Sequence, residues 1–197
     1  DFFGKDAKNT FSSLYVSLFL NTAPFMIYFG EEVGEKGMEE EGFSGRDGRT
    51  TIFDWWSLGS VRRLRKAIES GAYKSLDKKQ LVKAGMKAEE ADVFVKFAEA
   101  TRFAAADPAI SKGTTYDLCY CNMSSDGFDK NRHFAFLRDF EDHTILVACN
   151  FSSREANIKL TIPEHAFEWM EIPVTEDLYP GKTIDVKIAP MDAQKIV

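Results

Sequence analysis

Phe11, Leu14, Tyr15, Leu18 and Phe19 recur at intervals of three and one, which lays one apolar stripe along a helix and predicts a helix over residues 8–22. Asp6 can cap its start by accepting hydrogen bonds from unpaired backbone N–H groups, and Pro24 opposes helix at residue 23. Phe25, Met26, Ile27, Tyr28 and Phe29 then form an unbroken apolar run closed by Gly30. A run that does not alternate reads as a strand covered on both faces, as in a parallel sheet. Residues 34–51 set Gly34, Gly37, Gly42, Gly45 and Gly48 among charges and read as a long polar loop, followed at once by Phe53, Trp55 and Trp56. Helical spacing returns over 60–70, with Ser60 as cap and Val61, Leu64 and Ile68 inward. It continues over 77–84 and 88–105 and ends at Asp107 and Pro108.

From Thr115 the period becomes two. Tyr116, Leu118 and Tyr120 alternate with Asp117, Cys119 and Cys121, and strands are predicted over 133–138, 144–149, 158–162, 184–188 and 192–197. Short strands separated by turns over such a length predict an antiparallel sandwich. The chain thus reads as α/β followed by all-β, divided into residues 1–113 and 114–197.

Composition narrows the partners. Lys plus Arg number 25 against 31 Asp plus Glu, a net charge of −6, which argues against phosphate-backbone binding, since that usually needs a basic face, so no nucleic acid is expected. No uncharged apolar run approaches the ~20 residues of a membrane helix. Three cysteines, Cys119, Cys121 and Cys149, cannot close a disulfide framework and lean toward a reducing compartment. The first residues, Asp1-Phe2-Phe3-Gly4, carry neither an initiator Met nor a signal peptide, so the chain is expected to begin inside a longer protein and its start is silent on location.

Particular segments resemble the α-amylase family of glycoside hydrolases, family 13. Residues 22–34, with Pro24, an apolar stretch ending in Tyr28-Phe29 and then Gly30-x-Glu32, resemble the family's eighth-strand signature, with Ala23 standing for a Gly and Pro24 one place early. Arg46 to Trp55 resembles the next segment, where members carry Arg-Thr and a Trp near the substrate cleft. Ala100-Thr101-Arg102 through Ile110 and Gly113 resembles the last barrel helix and its exit, and Phe134 to Ser152 the core of the C-terminal β domain. Residues 73–91 have no counterpart in the pattern.

The resemblance implies the last portion of an incomplete (β/α)8 barrel followed by a C-terminal β-sandwich. It also implies a retaining hydrolase or transglycosylase of α-glucans, which needs a carboxylate nucleophile and a carboxylic acid close together. In the family these two, and a third carboxylate that steadies the distorted sugar, lie at the ends of the fourth, fifth and seventh strands, all before the segment matched here. The Asn-His-Asp motif of the seventh is absent; Asp142-His143 reverses its order. The chain alone is therefore expected to lack catalytic residues and activity.

Candidate substrate contacts are Glu32, Arg49, Asp54 and Trp55, since strand ends and the loops after them face the site of such barrels. Glu31 and Glu32 point opposite ways in an extended segment and cannot serve one bond as acid and base. Trp55 and Trp56 read more readily as core rings closing the barrel edge than as a sugar platform. Glu39-Glu40-Glu41 is an acidic run of a kind that can hold calcium, but it reads more readily as a solvated loop. Calcium could belong to the longer enzyme but is assigned to no residue here, and no cofactor or metal site is expected in this chain. Cys119 and Cys121, at i and i+2 on one strand face, read as small buried hydrophobes rather than zinc ligands. The histidines read as surface or rim residues.

The alternative function is a non-catalytic carbohydrate-binding or interaction module. That reading needs a row of exposed aromatics on the sandwich, for which Phe128, Phe140, Phe167, Trp169 and Tyr179 are the candidates. Phe11, Leu14, Phe25, Ile27 and Phe29, if left uncovered, would drive self-association.

Overall fold

The computed structural model describes residues 6–35 and 58–196. In chain order these form α1 (Phe11–Phe19), α2 (Gly59–Glu69), α3 (Lys78–Lys83), α4 (Ala88–Ala106), α5 (Pro108–Ser111), β1 (Thr114–Asp117), α6 (Cys119–Asn122), β2 (His133–Phe140), β3 (His143–Asn150), β4 (Ala156–Thr161), α7 (Glu164–Met170), β5 (Thr183–Ile188) and β6 (Ala193–Ile196). Short 3-10 turns lie at Ala7–Thr10, Glu31–Val33 and Ala72–Lys74. Two compact units result: Asp1–Thr10 with Met26–Thr101, and Phe11–Phe25 with Arg102–Val197.

The first unit is helical among its described residues. Val33, Leu64, Ala67, Leu81, Met86, Ala91 and Val95 form its core. Asp77 caps α3 as its sequence position suggests, accepting from the N–H of Lys79 at 2.7 Å. Arg63 grips Glu90 with both Nε (2.8 Å) and Nη2 (2.5 Å), a two-pronged pairing that links α2 to α4. Burial pushes the Glu90 carboxyl up, but the bonds from Arg63 and the Lys87 N–H outweigh it and hold the group below its usual range.

The expected strand at residues 25–29 is not formed. The segment makes no ladder, and Met26 is 82% exposed, Tyr28 49% and Phe29 42%. A strand exists through ladder hydrogen bonds to a neighbouring strand, and no strand among the described residues pairs with this segment.

The second unit is a two-sheet antiparallel sandwich. One sheet runs β1-β2-β3-β6 and the other β4-β5. In the first, Leu137 stands opposite both Tyr116 and Leu146; in the second, Ile158 pairs with Val186. Alternate residues of these strands, Ala135, Leu137, Leu146, Ala148, Ile158, Leu160, Val186 and Ile188, meet in one core with Phe167 and Met170 of α7. The opposite face of the four-stranded sheet is buried too, at Phe136, Ile145, Val147 and Cys149. There α1 packs on β3 and α5 on β2.

Polar groups hold this covered face in register. Arg138, 1% exposed, has no carboxylate partner among the described residues. Its guanidinium donates to the carbonyls of Ala109 (3.1 Å), Ile110 (2.8 Å) and Leu20 (3.1 Å) and to the Thr115 hydroxyl. These carbonyls lie in α5 and just beyond the end of α1, where a cation is favoured. Buried Asn122 reads the backbone of Thr161 on both sides, donating to its carbonyl at 3.0 Å and accepting from its N–H at 2.8 Å. Gly113 sits where any Cβ would come within 2.3 Å of the Ala109 carbonyl oxygen and 2.4 Å of that of Asp139, so only glycine fits.

Two local readings are corrected. The strand begun at Tyr116 ends at Asp117, whose carboxylate accepts from the Cys119 N–H at 2.8 Å and turns the chain into α6. Cys119, Tyr120 and Cys121 are therefore helical rather than on a strand face. Residues 164–170, unassigned by periodicity, form α7.

Candidate functional site

The first candidate is the turn after the apolar run. Gly30 (φ 82°) and Gly34 (φ 63°) both adopt the left-handed conformation that favours glycine, and a Cβ on Gly30 would lie 2.7 Å from that of Glu35. Between them Glu31 accepts from the Tyr28 N–H at 3.0 Å, and Val33 is buried. Glu32 is half-buried, and its carboxylate meets no partner among the described residues. Glu35 has a structural task. One carboxylate oxygen accepts from the N–H of Ser60 (3.0 Å) and of Val61 (3.2 Å) and from the Ser60 hydroxyl. Ser60 therefore does not cap α2; Glu35 does, from outside the helix. Arg49, Asp54 and Trp55, with Trp56 and Glu39-Glu40-Glu41, lie outside the described residues.

The cysteines are chemically quiet. Burial pushes the Cys119 thiol up to about 11 and the Cys149 thiol up to about 12, and burial likewise raises Cys121. Among the described residues no group of three or more His, Cys, Asp or Glu is arranged to hold a metal. No helix among them is long and apolar enough to cross a membrane.

The second candidate lies on the β unit, where Thr115, Tyr116, Asp117, Tyr120, His165 and Trp169 line an open cleft of about 360 Å³. Tyr116 is its buried floor. The Tyr116 hydroxyl bonds that of Tyr120 at 2.5 Å and the Nδ1 of His165 at 3.0 Å. Burial, then the Tyr120 hydroxyl, keep the Tyr116 phenol protonated well above its ordinary range. The rings of Tyr120, His165 and Trp169 stand 6.2, 5.9 and 6.0 Å from that of Tyr116, all tilted. His165 and Trp169 share one face of α7 because they are four residues apart. Trp169 is 55% exposed and Tyr120 51%.

Of the aromatics proposed from sequence, Phe128 and Phe167 are buried, Phe140 is half-buried, and Trp169 and Tyr179 are exposed. Sequence reasoning missed Tyr116, Tyr120 and His165. Tyr120 was hidden by a twofold pattern that ran past the end of β1. His165 was hidden because α7 was not seen, although Pro163 followed by Glu164 marks a helix start.

A scan against protein-family models and a search of curated proteins each find no match. Solved structures do match. AmyP in complex with maltose superposes at TM-score 0.52 and 14% identity, over 96% of this chain and 33% of that one. This chain has the fold of part of an α-amylase-family enzyme. The part comprises helices of the barrel's end and the antiparallel β domain. Trehalulose synthase MutB (TM-score 0.46, 15% identity, 96% of this chain and 38% of that one) and Bacillus licheniformis trehalose-6-phosphate hydrolase (0.45, 14%, 98% and 38%) are similar over the same extent, at scores too low to build on. The chain spans about a third of the length of the α-amylase-family enzymes it matches.

Proposed function

We propose that the chain is part of a retaining glycoside hydrolase acting on α-glucans such as starch and maltooligosaccharides. Residues 1–113 supply the end of its catalytic barrel and residues 114–197 its C-terminal β domain. The observation that carries this reading is the match over 96% of the chain to an enzyme solved with maltose. Glu32, Arg49, Asp54 and Trp55 line the substrate cleft in this reading, and the Glu32 carboxylate, without a partner among the described residues and set between two left-handed glycines, supports a contact to a sugar hydroxyl. Glu31, held by the Tyr28 N–H, has no such freedom.

A retaining mechanism needs two carboxyl groups about 5–5.5 Å apart across the scissile bond. In this reading the chain supplies neither of those acids, and alone it is inactive. The test is release of reducing ends from maltoheptaose by two proteins: the 197-residue chain, and the same chain joined to whatever coding sequence precedes Asp1. The expected result is no turnover by the first and turnover by the second; turnover by the first, or by neither, contradicts the reading. A non-catalytic carbohydrate-binding module is the second reading, favoured by the exposed rings of Tyr120 and Trp169. Glucan binding without turnover by the extended protein would select it.

A further inference from the structure

We propose that the cleft on the β unit binds pyranose rings of an α-glucan, with Trp169 and Tyr120 as its walls and Tyr116 as its floor. Large rings half in water are a liability unless something covers them. Here they flank one depression, and a buried hydroxyl fixes one of them together with the neighbouring imidazole: Tyr116 bonds Tyr120 at 2.5 Å and His165 at 3.0 Å. The Tyr120 wall is thus set before a ligand arrives, and the Trp169 ring stands 6.0 Å from the Tyr116 floor, which lowers the ordering a ligand must impose.

The polar groups at the rim suit a neutral polyhydroxyl ligand. Asp117 has one carboxylate oxygen on the Cys119 N–H and the other open. His165 bonds through Nδ1, leaving Nε2 available, and the Trp169 indole N–H has no acceptor among the described residues. Donors and acceptors therefore alternate around apolar ring faces, matching a sugar's equatorial hydroxyls and its C–H faces. The Asp117 carboxylate and the absence of any Lys or Arg in the lining disfavour a phosphorylated or carboxylated ligand. A volume of about 360 Å³ lies near the lower end of the ~300–1,000 Å³ of small-molecule sites, enough for one or two sugar rings.

The choice of an α-glucan over another polysaccharide rests on the function proposed above. The test uses the 197-residue chain in affinity electrophoresis through gels with and without amylopectin, and maltoheptaose titration read by tryptophan fluorescence. Wild-type protein should be retarded. Trp169→Ala and Tyr120→Ala should each weaken binding by about tenfold or more, and Trp169→Phe, which keeps a stacking ring, should recover most of it. Circular dichroism of each variant should match wild type, because both side chains are exposed. Retardation that survives both alanine variants overturns the cleft and leaves the glucan-active reading standing. No retardation of the wild type overturns the cleft, and the turnover assay then judges the enzyme reading separately. Retardation by cellulose or xylan in place of amylopectin overturns the α-glucan assignment. A fluorescence response to tetramethylammonium without one to maltoheptaose identifies a cation cage in place of a sugar site.

Discussion

In the helical unit, charge meets opposite charge: half-buried Arg63 against buried Glu90, and, at the rim of a small core, Lys8 and Lys78 on either side of Asp92 at 2.6 and 2.8 Å. Seven buried residues form that core among the described residues, against seventeen in the sandwich of the β unit. In the β unit the polar groups lie inside. Arg138, Asn122 and Asn150 are all buried, and each bonds backbone rather than an opposite charge. Rim pairs add little because water screens them, whereas a buried donor that loses its acceptors exposes the full cost of desolvation. The two units should therefore respond differently to the loss of one polar side chain.

The largest effect is expected from Arg138→Met. It leaves the carbonyls of Leu20, Ala109 and Ile110 without their donor and should destabilise the β unit by about 3 kcal/mol or more. Hydrogen exchange should show lost protection in β2 and β3 with little change in α2 and α3; equal loss in both would erase the contrast. Gly113→Ala comes next. A methyl group within 2.3 Å of a backbone oxygen forces the chain apart, at about 2–3 kcal/mol by urea denaturation. Glu90→Gln should cost the helical unit about 1 kcal/mol, reduced by the exposure of Arg63, and high salt should shrink the difference from wild type.

The smallest effect concerns pH. Burial holds the His133 imidazole below its ordinary 6.5, so the folded chain binds fewer protons at this site than the unfolded chain. The stability that neutral His133 contributes is present above pH 6.5 and is lost as pH falls through its folded value. His133→Gln should flatten the acid side of the stability profile, and an unchanged profile would remove His133 from the account.

What could be read from the sequence follows the same division. Ile158-Leu160-Ile162 and Ile184-Val186-Ile188 alternate strictly because one face of their sheet is wet, and both segments became strands almost where expected. The Leu64 and Val95 helices were legible for the same reason, with one face in and one face out. Phe25–Phe29 was read as a strand, yet composition cannot supply a partner strand, and none lies beside it among the described residues. The Asp117 turn was missed because a side-chain bond to the backbone ended an alternation that hydrophobicity alone would extend. The aromatic cleft needed tertiary structure. Its residues come from two segments more than forty positions apart in the chain, and only the Trp169 ring drew notice beforehand. Arg49, Asp54 and Trp55 rest on resemblance alone.

The Glu35 carboxylate works as a buckle: it clasps the N–H groups of Ser60 and Val61 and so ties the turn that follows Gly34 to the first turn of α2. One side chain thereby fastens two elements far apart in the chain and brings negative charge to the start of a helix that has no cap of its own.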